Sequence, residues 1–144
     1  MAFLLSLSRD KTYELLDLTV RNGARPVIVL EDPDEIAHEL FIDLLFSDRD
    51  DTGIFDYGDF IMDQAFSVEK IESLSKSSYI IVENVRHLYG KSATSRILAD
   101  FVRRMRDTDT GVIFTGKRTS LDMAEFVEQA EECIQYVITV DPEK

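Results

Sequence analysis

The sequence predicts an α/β domain: a three-layer sandwich with a mostly parallel sheet of about five strands. Three observations carry this. Short runs of β-branched residues alternate with longer amphipathic stretches from end to end, the pattern of βαβ crossovers. One run, Tyr79-Ile80-Ile81-Val82, is apolar at every position, as in a parallel strand buried on both faces. Turn and cap residues fall between the runs at the spacing that such crossovers need.

Phe3-Leu4-Leu5-Ser6-Leu7 reads as the first strand. Asp10 is placed to cap a helix that runs to about Asn22, with Leu15, Leu16 and Val20 inward and Gly23 as its stop. Pro26 to Leu30 reads as the second strand. Asp32-Pro33-Asp34-Glu35 then supplies an N-cap, a proline at the first helical position and a glutamate at the third. Ile36, Ala37, Leu40, Phe41, Leu44 and Leu45 form that helix's apolar stripe.

The stretch 47–63 is dense in aspartate and reads as irregular, with a short strand at Ile54-Phe55. Ser67 caps a brief helix carrying Val68, Ile71 and Leu74. The strand at Tyr79–Val82 follows and ends in Glu83-Asn84. Ser92 to Arg106 is a helix with Ile97, Leu98, Phe101, Val102 and Met105 on one face. Gly111 to Thr115 is a further strand. Thr119 or Ser120 opens a helix with Met123, Ala124, Val127 and Ala130 inward, and residues 134–140 form the last strand.

Composition bounds the function. The 144 residues are 44% hydrophobic and 31% charged, as in a soluble globular protein forming one domain over 1–144. No apolar run reaches membrane-spanning length. No signal sequence is visible, and the single cysteine, Cys133, rules out an intrachain disulfide. These features predict a cytoplasmic protein. A formal net charge of -12 disfavours nucleic acid as a partner.

The order of elements resembles a RecA/KaiC-like P-loop ATPase over nearly the whole chain. Phe3–Leu7 is similar to the strand before the phosphate loop, and Lys11-Thr12 to the Lys-Thr that closes GxxxxGK[ST]. Glu83 stands where that family carries its magnesium-linked acid, and Thr115 where it carries a polar sensor. The resemblance therefore implies a cofactor site of Lys11, Thr12 and Glu83 for ATP with Mg²⁺. The loop Ser6-Leu7-Ser8-Arg9-Asp10 has no glycine, however, and its aspartate would oppose a phosphate. The implied protein is a degenerate ATPase with no catalytic residues, a non-catalytic regulatory or assembly protein. The competing reading is an ATPase with an atypical loop.

A second resemblance is to receiver domains. Glu31-Asp32 is similar to their acidic pair, Asn84 falls at the phosphoacceptor position and Thr115 at the Ser/Thr position. Asparagine accepts no phosphoryl group, so this reading implies a pseudo-receiver interaction module.

Three further features bear on function. Residues 48–59 match the spacing of an EF-hand loop, with Asp48, Asp50, Thr52, Asp56 and Asp59 as oxygen ligands for Ca²⁺ and Gly53 at the turn. A solvated acidic loop is the competing reading. His38 and His87 with one cysteine form no zinc spacing. Lys117 and Arg118 follow the strand ending at Thr115. They form a cationic pair for a protein partner, which the RecA/KaiC-like resemblance makes a second copy of the chain meeting them with its acidic loop.

Overall fold

The computed structural model describes residues 2–63, 72–86, 94–117, 121–141 and 143. The predicted helix start at Ser67, Val68 and Ile71 lies outside the described residues. So do His87, Ser92, Arg118, Thr119 and Ser120.

Six strands form one all-parallel sheet: β1 (Phe3–Leu7), β2 (Val27–Glu31), β3 (Thr52–Asp56), β4 (Tyr79–Val85), β5 (Gly111–Gly116) and β6 (Tyr136–Val140). Their order across the sheet is β1-β6-β2-β5-β4-β3. The helices are α1 (Arg9–Arg21), α2 (Asp43–Phe46), α3 (Tyr57–Asp63), α4 (Thr94–Met105) and α5 (Leu121–Gln129), with residues 72–74 also helical. A π-helical turn, His38–Ile42, leads into α2.

Side chains alternate between two cores, as the strand period of two requires. Val29, Ile80, Val82, Val112 and Phe114 pack with Phe60, Phe101, Val102 and Phe126 from α3, α4 and α5 on one face. Ile28, Leu30, Tyr79, Ile81 and Ile113 pack with Leu16, Phe41, Ile42 and Phe46 on the other. Tyr79 through Val82 are fully buried, as the unbroken apolar run predicts. Burying each such side chain stabilises the fold by roughly 1.5–3 kcal/mol.

The differences from expectation are local. Ser8, not Asp10, caps α1: its Oγ accepts from the Lys11 amide at 3.1 Å. The short strand at Ile54-Phe55 extends to five residues and becomes the sheet's sixth member at its far edge. The helix expected to start at Pro33 begins later. Residues 33–35 form a turn, with the Glu35 amide donating to the Asp32 carbonyl at 3.2 Å.

The receiver resemblance is corrected by strand order. A receiver sheet runs 2-1-3-4-5. Counted from β2 as first strand, this sheet runs 5-1-4-3-2 with β1 added outside. β1 thus lies outside that topology.

Candidate functional site

Strands β2 and β5 are neighbours whose connections leave in opposite directions. β2 exits through the π-turn and α2 on one face, and β5 exits through α5 on the other. The crevice outside their carboxyl ends is the topological switch point, where open α/β sheets bind ligands. A crevice of about 230 Å³ lies there, lined by Asp32, Glu35, His38, Glu83, Asn84, Thr115, Gly116 and Lys117.

The loop after β2 forms one wall. Asp32 is only 5% exposed. Its Oδ1 accepts from the Ile36 amide at 3.1 Å and its Oδ2 from the Ala37 amide at 2.8 Å. Its own amide donates to the Gly116 carbonyl at 2.9 Å, which pins the loop to β5. Glu35 holds φ at +56°, a left-handed conformation uncommon for a side chain other than glycine.

The opposite wall is the end of β4, which is irregular. Val82 pairs with Phe114 and Val85 with Gly116, so one extra residue is accommodated between them. Asn84 takes φ of +63° there, and its amide donates to Thr115 Oγ1 at 3.1 Å. This bulge turns Glu83 into the crevice, where its Oε2 meets His38 Nδ1 at 2.6 Å. Gly116 is required opposite the bulge. A Cβ on it would lie 2.6 Å from the Val85 carbonyl oxygen and 2.7 Å from Met123 Cε. Lys117 Nζ reaches Glu35 Oε1 at 3.5 Å across the mouth.

Behind the bulge, Arg86 binds Asp56 through two contacts, 3.1 and 3.0 Å, and donates to the Asn84 carbonyl at 2.9 Å. Burial pushes the Asp56 carboxyl up. The Arg86 hydrogen bonds and charge, with the Gly58 and Asp59 amides, outweigh that and hold it below its ordinary range. The β3 and β4 ends are thereby tied together beside the site.

The structure divides the residues singled out in the sequence. Glu83 and Thr115 line the crevice, together with Asn84 and Asp32. Lys11 and Thr12 do not join them. They begin the helix after β1, an edge strand four positions from β4 and thus about 19 Å away at ~4.8 Å per strand. Thr12 is buried with its Oγ1 on the Ser8 carbonyl at 2.8 Å, and Lys11 Nζ meets Glu14 at 3.4 Å. The loop that borders the crevice at the switch point is the one after β2. A sequence does not reveal that its first strand will lie at an edge. A signal was nevertheless present: a buried strand that ends in Glu31-Asp32-Pro33-Asp34-Glu35, dense in carboxylates.

The calcium reading is corrected. Thr52 to Asp56 is extended and pairs with β4 from Tyr79 to Glu83, so Gly53 is mid-strand and not at a turn. Asp48 and Asp50 precede the strand and Asp59 lies in α3. An extended chain advances about 3.3 Å per residue and sends alternate side chains to opposite faces, so these oxygens cannot encircle one ion. Among the described residues no group of three or more His, Cys, Asp and Glu side chains is placed to hold a metal. Likewise, no helix of the described residues is long and apolar enough to cross a membrane.

No family model and no curated protein sequence matches the chain. Solved structures do. The DnaC helicase loader superposes with a TM-score of 0.60 at 11% identity, over 92% of this chain and 89% of that one. Domain III of the Thermotoga maritima replication initiation protein DnaA gives 0.63 at 13%, over 96% of this chain and 65% of that one. DnaI gives 0.58 at 9%, over 96% and 94%. At these identities the likeness is one of fold: a P-loop ATPase-like α/β domain.

Proposed function

We propose that the chain is a non-catalytic assembly protein on a P-loop ATPase-like fold, which acts by binding a protein partner and has lost the nucleotide. One observation carries this reading: the Asp32 carboxylate occupies the Ile36 and Ala37 amides. In phosphate-binding loops such amides, freed by glycines, turn towards the phosphates. Here the loop from Asp32 to Ala37 has no glycine, and it adds Asp34 and Glu35 to the charge a phosphate would meet. An internal anion stands where an external one would bind.

Three further polar side chains of the crevice also meet partners within the chain. His38 joins Glu83, Lys117 joins Glu35, and Thr115 accepts from Asn84. These contacts link the ends of β2, β4 and β5 without a ligand. The names of the fold neighbours, a helicase loader and a replication initiation protein, support an assembly role. A net charge of -12 favours a protein partner over a phosphate backbone.

Phosphate release tests the reading. The account expects the rate with ATP and Mg²⁺ to equal the protein-free background. A rate well above background that Glu83→Gln reduces by orders of magnitude would overturn it.

A further inference from the structure

A groove lies on the sheet face opposite α3, α4 and α5. α1 forms one wall with Arg9, Asp10 and Tyr13. The π-turn and α2 form the other with Leu40, Phe41 and Leu44. Its volume is about 290 Å³. Phe41 is buried at its floor, Tyr13 and Leu40 are half-buried along its sides, and Leu44 stands 65% exposed at its rim.

Leu44 is the informative residue. The sequence puts it on the buried stripe with Leu40 and Phe41. In the fold, the Asp43 amide donates to the His38 carbonyl, five residues back. A turn of this kind takes up one residue more than an α-turn, so the stripe beyond it rotates. Phe46 enters the core instead, and Leu44 is turned outward. Such bulges are frequent at functional sites.

The surroundings of the groove are acidic. The nearby cations are each matched within the chain: Arg9 with Asp34 at 3.7 Å, Lys11 with Glu14 at 3.4 Å and Arg21 with Asp17 at 2.8 Å. Asp10 lies in the groove, and Glu39 and Asp43 adjoin Leu40 and Leu44 in the chain. The side chains of these three exposed acids have no hydrogen bond or ion pair with any described residue. An apolar cleft is thus bordered by carboxylates that the described residues leave without a counter-charge.

We infer that this groove docks an amphipathic helix of a partner protein, with apolar anchors one turn apart and Lys or Arg beside them. The anchors fill the space between Tyr13, Phe41 and Leu44, and the cations meet Asp10, Glu39 and Asp43. Both walls are helical, which selects a helix over an extended segment. Their backbone groups are bonded within their own turns, as the Leu40 amide is to the Ile36 carbonyl at 3.0 Å, and offer an added strand no ladder. A second copy of the chain lacks the matching face. Among the described residues its helix with excess cations is α4, which carries Arg96, Arg103 and Arg104. That helix buries Leu98, Phe101, Val102 and Met105 in its own core and has no apolar stripe to give. This inference stands on the groove alone and is independent of what the crevice binds.

The test titrates the full chain into a fluorescent, end-capped helical peptide of Leu and Lys whose leucines form one stripe, read by anisotropy. A peptide of the same composition without the stripe and a striped Leu-Glu peptide serve as controls. Leu44→Ser removes the apolar rim at an exposed position, and Asp10→Asn/Asp43→Asn removes two of the carboxylates. Leu18→Ser, 56% exposed on α1 and outside the groove, is the control for the first. Asp107→Asn/Asp109→Asn, in the turn after α4, is the control for the second. The inference expects saturable binding of the striped Leu-Lys peptide alone. Leu44→Ser and Asp10→Asn/Asp43→Asn each weaken it about tenfold or more, and the two control variants leave it unchanged. Absent binding, equal binding of either control peptide, or equal weakening by the control variants would overturn it. So would a parent dimer that Leu44→Ser dissociates, since a second copy would then be the occupant.

Discussion

The Asp32 carboxylate and the Ala37 amide, five residues apart, are joined by a 2.8 Å hydrogen bond in which both residues are buried. The second Asp32 oxygen takes the Ile36 amide, so the turn between β2 and the π-turn is closed by a single side chain. Replacing Asp32 by alanine leaves two amides without their acceptor. The expected loss is about 1–3 kcal/mol in urea denaturation. Asp32→Asn keeps a carbonyl acceptor and loses less. Equal stability of the parent and Asp32→Ala would show that the carboxylate does not hold the loop.

Gly116→Ala tests the opposite wall. The new methyl would meet the Val85 carbonyl oxygen, part of the backbone, at 2.6 Å. The β4 bulge must shift to admit it, at an expected cost of about 1–3 kcal/mol. The same shift displaces Glu83 from His38. A chemical-shift map of Gly116→Ala should therefore show changes reaching His38, and an unchanged His38 environment would separate the bulge from the pair.

Much of this fold was legible because burial leaves a mark in the sequence. A strand covered on both faces has no room for a polar residue, so Tyr79–Val82 and Val27–Leu30 announce themselves. β3 was only partly visible because it lies at an edge, follows Asp51 and carries Thr52 and Asp56 at its ends. The site was legible on one wall only. Glu83, Asn84 and Thr115 could be placed because they end buried strands. The loop after β2 reads as a helix start, since Asp32-Pro33-Asp34-Glu35 satisfies every rule of helix capping, and otherwise only as a receiver-like acidic pair at Glu31-Asp32. Its role depends on which strands flank the switch point, and strand order is a non-local property that capping residues do not encode. The left-handed Glu35 and Asn84 were invisible for a related reason: neither is glycine, and tertiary contacts hold them there.

The Arg86–Asp56 link makes stability respond to acid. The folded Asp56 carboxyl lies below its ordinary 3.8, so its stabilisation is fully present above that value. It is lost as pH falls through the lowered folded value. Asp51, held down chiefly by the Arg49 hydrogen bond, acts in the same sense. Urea midpoints should fall below about pH 4. Arg86→Gln should lower the midpoint at pH 7 and flatten the acid limb, because the Arg86 hydrogen bonds and charge no longer hold the Asp56 carboxyl down against its burial. An acid limb identical in both proteins would contradict this assignment.

The central claim is that Asp32 replaces a nucleotide phosphate, and a thermal melt with and without ATP and Mg²⁺ tests it most directly. A ligand bound only by the folded state at a hundredfold over its Kd adds about 2.7 kcal/mol. For a chain of this size that raises the melting temperature by about 5 °C or more. The account predicts superimposable curves at millimolar ATP and Mg²⁺. A saturable rise of that size would contradict it.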